Sequence, residues 1–169
     1  MSDEIINKVA SSGLITIDLE DIKPQGERLV YDLKQNLFQE LILKERDFRT
    51  FIKSKDWSEY SGKNVAIICS AEAIIPTWAY MLLASVLSPI ANIVVFGDLD
   101  KLEQALFQQA IDGIDPENYR DKRIVIKGCG DEGVPEFAYV EIVRKLQPFV
   151  KSIMYGEPCS TVPVYKKRS

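Results

Sequence analysis

Val65-Ala-Ile-Ile68, then Pro76-Thr-Trp-Ala-Tyr-Met-Leu-Leu-Ala-Ser-Val-Leu87, then Ile93-Val-Val-Phe96 closed by Gly97: the fold is decided in this stretch. The first run is apolar, strand-length and preceded by Gly62-Lys-Asn, the pattern of a buried strand. The second is helix-length, with proline tolerated in its first turn and Pro89 to end it. The third is again a short buried strand. Strand, helix and strand in succession argue for parallel pairing through a right-handed crossover. The 25 positions from Ala73 to Gly97 carry no charge and would be long enough to span a bilayer. Pro76, Pro89 and Asn92 cut them into pieces too short for that, so no transmembrane helix is expected.

Downstream the alternation continues. Asp98 caps a helix whose apolar face is Leu99, Leu102, Leu106, Phe107, Ala110 and Ile111, stopped by Gly113. Arg123-Ile-Val-Ile126 is a third strand, Pro135 to Gln147 a helix, and Ser152-Ile-Met-Tyr155 a fourth strand. The second βαβ piece repeats the first. Placing Pro76 on Pro135 also superposes Ala79 on Ala138, Tyr80 on Tyr139, Leu87 on Leu146, Pro89 on Pro148 and Gly97 on Gly156, six identities in 23 ungapped positions. A one-residue gap upstream aligns Cys69 with Cys129. Where the second helix carries Glu136, Glu141, Arg144 and Lys145, the first is apolar all round. Its outer face therefore needs a cover, supplied by the first sixty residues or by a second subunit in a homodimer.

Those sixty residues are less regular. Leu14 to Leu19 and Arg28 to Leu33 alternate apolar and polar, consistent with half-buried strands, and the Lys23-Pro-Gln-Gly26 turn between them predicts a hairpin. Lys44 to Ser54 places Phe48, Phe51 and Ile52 on one helical face, and Trp57 and Tyr60 follow as packing aromatics. The fold class expected is α/β: a single domain over residues 1–169, with a mainly parallel sheet from two similar βαβ halves at 61–169 and an N-terminal β/α covering segment at 1–60. Strand order 2-1-3-4 would make Val65 to Ile68 and Ile124 to Ile126 central neighbours.

Composition narrows the function. Of 169 residues 46% are hydrophobic and 27% charged, the make-up of a globular protein large enough to fold without staples. A net charge of −4 supplies no field for a polyphosphate, so nucleic acid is not an expected partner. The chain has no histidine, which removes Ser-His-Asp triads, His-ligated metals and histidine switches. The acidic opening Met1-Ser-Asp-Glu is not that of a signal peptide, and a cytoplasmic location with reduced thiols is expected.

Cys69, Cys129 and Cys159 each follow a predicted parallel strand, which would bring all three to one edge of a single sheet. Three thiolates there could hold one ion, zinc by preference, at roughly 2.3 Å per bond, with Asp131, Glu72, Glu157 or water as fourth ligand. Gly128-Cys-Gly130 would supply backbone freedom around the middle sulfur. Two other readings stand beside this one: separate inert cysteines, and a reactive thiol at Cys69 near a helix N-terminus. Phosphatase chemistry is disfavoured because the loops after Cys69 and Cys129 carry a glutamate and no arginine. An enzyme would further need an open metal position and a general base, for which Glu72 and Asp131 are the candidates.

Pro76-Thr-Trp-Ala-Tyr-Met-Leu-Leu-Ala84, Tyr155-Gly-Glu-Pro-Cys-Ser-Thr-Val-Pro163 and Gly13-Leu-Ile-Thr-Ile-Asp18 resemble an uncharacterised family of Bacteroidetes-type bacteria along the whole chain. The resemblance implies a compact bacterial cytoplasmic protein and no particular reaction. Two functions are therefore carried forward: a protein binding one metal ion through Cys69, Cys129 and Cys159, and a protein-interaction or oligomerisation module using the apolar Trp78 to Val86 helix.

Overall fold

The computed structural model describes residues 13–128 and 133–168. In chain order its elements are β1 (Leu14–Asp18), β2 (Arg28–Asp32), α1 (Glu45–Ser54), β3 (Asn64–Ile68), α2 (Thr77–Leu87), β4 (Ile93–Phe96), α3 (Leu99–Asp112), β5 (Arg123–Lys127), α4 (Glu136–Leu146), β6 (Ser152–Glu157) and β7 (Ser160–Lys166). The chain is mixed α/β and mainly parallel, as its alternation of strands and helices requires. It divides into two compact units, one of Gln25–Leu106 and the other of the flanking segments, up to Pro24 and from Phe107. The boundary falls inside α3.

The middle unit holds the parallel sheet β2-β3-β4, and the flanking unit holds β1-β5-β6-β7, in which only β7 runs antiparallel. This corrects two expectations. Val65 to Ile68 and Ile124 to Ile126 are not neighbours; they lie in different sheets, each flanked by a strand from the first 32 residues. Nor do β1 and β2 form a hairpin, since β1 pairs with β5 and β2 with β3. Alternation marks a strand with one wetter face but carries no information about its partner.

The predicted duplication is visible in the structure and reaches further than the sequence comparison. From Asn64 to Arg123, from Thr77 to Glu136 and from Ile93 to Ser152, the starts of corresponding elements are all 59 positions apart. No gap is needed, so Cys69 matches Gly128 and not Cys129. The helices have equal length and bury equivalent residues: Ala79, Leu83 and Leu87 in α2, Ala138, Ile142 and Leu146 in α4. Each follows a proline in extended conformation. Strands β1 and β2 belong to the repeat too, because Leu14 pairs with Arg123 as Arg28 pairs with Asn64, and both end in Asp-Leu with the leucine fully buried.

Each unit has its own core. Helix α1 begins with Glu45 and Asp47 and ends with Lys53, charges that suit its dipole, and the four-residue spacing of Phe48 and Ile52 puts both in one buried stripe. They join Tyr31, Leu33, Val65 and the buried face of α2. The expected cover of α2 is thus present in part: Phe48 meets Trp78 at 6.1 Å between ring centroids. Met81, on the far side, stays 68% exposed. The flanking unit packs Ile17, Leu19, Phe107, Ile111, Ile124 and Ile126 against the buried face of α4.

Candidate functional site

In parallel α/β sheets side chains that act on ligands gather beyond the carboxyl ends of the strands, and both sheets hold a fixed carboxylate there. Asp32 ends β2. Its Oδ1 accepts from the Lys34 and Ser70 amides at 2.9 and 3.0 Å, and its Oδ2 accepts from the Ser70 hydroxyl at 2.5 Å. Burial alone would push this carboxyl up; the three donors outweigh it and hold the group below its ordinary range. The two bonds from Ser70 tie β2 to the loop after β3, and the bond from Lys34 caps the turn that follows β2. Asp18, at the matching position of β1, sits 3.1 Å from the Lys127 ammonium, which also lies 3.6 Å from Glu157. The bond to Asp18, and then the charge of Glu157, push Lys127 above the ordinary lysine value. Glu157, one of the alternatives for a fourth metal ligand, is engaged in this ion-paired group.

The cysteines fall out differently from the expectation. Cys69 follows β3 in the middle unit, half-buried against that unit's core, with its thiol 3.7 Å from the Ala71 carbonyl. Cys159 is exposed in the turn between β6 and β7 of the flanking unit. Cys129, Gly130 and Asp131 lie outside the described residues. Because β3 and β6 belong to different sheets, the premise that the sulfurs share one sheet edge does not hold. Among the described residues no three His, Cys, Asp or Glu side chains converge as a metal site. Gly128 has a packing reason for its identity. The Tyr139 hydroxyl donates to the Gly128 carbonyl at 2.7 Å, and a Cβ on residue 128 would come within 2.5 Å of that oxygen.

The flanking unit holds a pocket of about 730 Å³ between α4 and the β6-β7 end of the sheet. Tyr139, Val140 and Val143 line it from α4, at the three- and four-residue spacings that share one helical face. Met154 and Tyr155 of β6 and Val164 of β7 form the opposite wall. Tyr139 and Tyr155 meet edge to face, with ring centroids 5.8 Å apart. Val140 is 64% exposed and Val164 51%, so the apolar lining faces solvent. Glu136 supplies the one acidic group of the lining and makes no ion pair among the described residues. Sequence reasoning missed this pocket because it placed no strand after Tyr155. Thr161-Val-Pro-Val-Tyr165 is rich in β-branched and aromatic residues, and Pro163 is compatible with an edge strand.

Residues 3–167 match a family described as a protein of unknown function (DUF2480). The chain belongs to this family. No curated protein and no solved structure matches it. As a DUF2480 member the chain takes no reaction from its relatives, so its function rests on the geometry of its own sites.

Proposed function

We propose that this DUF2480 chain is a protein-interaction module whose pocket between α4, β6 and β7 receives an apolar, extended or helical segment of another polypeptide. The carrying observation is the solvent-facing apolar wall of Tyr139, Val140, Val143, Met154, Tyr155 and Val164 around about 730 Å³. A folded chain gains nothing by leaving valines this exposed on a helix and on the facing strand, whereas a partner that covers them gains roughly 25 cal/mol for each Å² removed from water. Aromatic and aliphatic walls supply adhesion without direction; Glu136 adds direction by favouring a segment that carries a lysine or arginine near its apolar anchor. The carboxylates elsewhere support the reading, since Asp32, Asp18 and Glu157 are all occupied in holding strand ends and loops.

Selection from a random peptide display library on the immobilised full chain tests this. The expected result is enrichment of peptides with bulky apolar residues and one cation, which lose at least about tenfold in affinity on Val140→Glu and keep it on Gln109→Glu, an exposed position elsewhere on the protein. Failure to enrich any such peptide, or binding indifferent to Val140→Glu, would contradict the proposal.

A further inference from the structure

We propose that two copies of this chain associate through β4, antiparallel strand against strand, so that two three-stranded sheets become one of six. This inference concerns the middle unit and stands independently of the pocket reading. Strand β4 pairs with β3 alone. The Asn92 amide donates to the Lys63 carbonyl, so the alternation of a parallel ladder turns the backbone groups of Ile93 and Val95 to the other side. There they meet no hydrogen-bond partner among the described residues.

The other edges are protected and this one is not. Strand β2 begins with Arg28, paired to Glu103, and ends with Asp32; β7 contains Pro163 and ends with Lys166; β1 ends with Asp18, paired to Lys127. Ile93-Val-Val-Phe96 has neither charge nor proline, and charge and proline are the devices that keep an edge from pairing. The repeat within the chain shows what such an edge accepts. Strand β6 is the counterpart of β4, with Gly97 just past β4 and the corresponding Gly156 inside the longer β6 at φ of 133° and 118°, and the matching edge of β6 is filled by β7 in antiparallel register, Tyr155 opposite Val162. Tyr155 is thereby reduced to 39% exposure, while its counterpart Phe96 is left at 71%.

A second copy is the occupant that fits. A two-fold axis between the two β4 strands, perpendicular to the sheet, generates the antiparallel polarity that β7 has on β6, and it is the commonest symmetry of homo-oligomers. Because β4 is uncharged, self-pairing opposes no like charges. The nearest charge, Asp98, lies past one end of the strand, so antiparallel pairing keeps the two carboxylates at opposite ends of the seam. Phe96 of both copies would then lie along it.

Sedimentation velocity on the full chain, with amide hydrogen exchange, tests this. The wild-type chain is expected to be a dimer in which the Ile93 and Val95 amides exchange at least about tenfold more slowly than in a monomeric variant. Val95→Pro removes an edge donor, and Phe96→Lys puts a cation on the seam at an exposed position; each is expected to give a monomer. Since Val95 also packs against Leu102 and Leu106, Phe96→Lys alone carries the test should Val95→Pro fail to fold. Val140→Glu, in the pocket, is expected to remain dimeric. A monomeric wild type overturns the proposal, as does a dimer that survives Phe96→Lys or leaves the Ile93 and Val95 amides fast. A dimer lost on Val140→Glu but kept on Phe96→Lys would overturn it in favour of self-association through the pocket.

Discussion

Asp32 closes β2 by turning its carboxylate onto Ser70 and Lys34, and the consequence is a pH dependence of known sign. Its folded-state pKa is depressed, so its contribution is present at neutral pH and is lost as the pH falls through the lowered value. Asp32→Ala is expected to cost about 1 kcal/mol at neutral pH, the worth of a capping side chain, with the difference from wild type closing on acidification. Thermal melts across the acid range check it, and a gap that widens toward low pH would contradict it. Gly128 offers a second test at this scale. Gly128→Ala places a methyl against the Tyr139 hydroxyl and is expected to cost about 1–3 kcal/mol, as overpacking does. Adding Tyr139→Phe should recover part of that loss, so denaturant titrations of the two single variants and the double variant would show a coupling. The glycine was visible in the sequence, but its reason was not, because the tyrosine that demands it is eleven positions away on a helix.

The element scale separates what the sequence revealed from what it concealed. The run β3-α2-β4 and its copy β5-α4-β6 were legible because each element is set by local periodicity, by prolines before and after the helix, and by the matching glycines Gly97 and Gly156. Sheet membership was not legible, because the partner of β1 is β5, more than a hundred residues later, and nothing in Leu14–Asp18 distinguishes that partner from β2. Strand β7 was hidden by its proline. The cysteine alignment needed a gap that the strands do not have, which is why residues of one type looked equivalent when their positions were not. Equivalence of the helices has an energetic consequence. Leu83 and Ile142 occupy the same place in α2 and α4 and are both fully buried, so Leu83→Ala and Ile142→Ala are each expected to cost about 2–5 kcal/mol. Chemical denaturation measures both; a cost under about 0.5 kcal/mol at either position, the usual range for surface changes, would show that the two helices are not equivalent supports.

At the scale of the whole molecule, a repeated strand-helix-strand piece has been put to two uses. In the flanking unit β7 is added, walling a pocket against α4; in the middle unit the same edge stays open. The duplication explains why the pocket-lining Tyr139 and Tyr155 have counterparts in Tyr80 and Phe96, whose rings also meet edge to face, at 5.1 Å. What distinguishes the flanking copy, and makes it the proposed binding site, is that β7 adds Val164 to the wall formed by Met154 and Tyr155 of β6. The most direct test is a chemical-shift map of the full chain titrated with a peptide from the display selection. The expected result is a contiguous set of shifted amides at Val140, Val143, Met154, Tyr155 and Val164, with a selective loss of those shifts on Val140→Glu; shifts centred elsewhere, or unchanged by Val140→Glu, would contradict the pocket as the binding site.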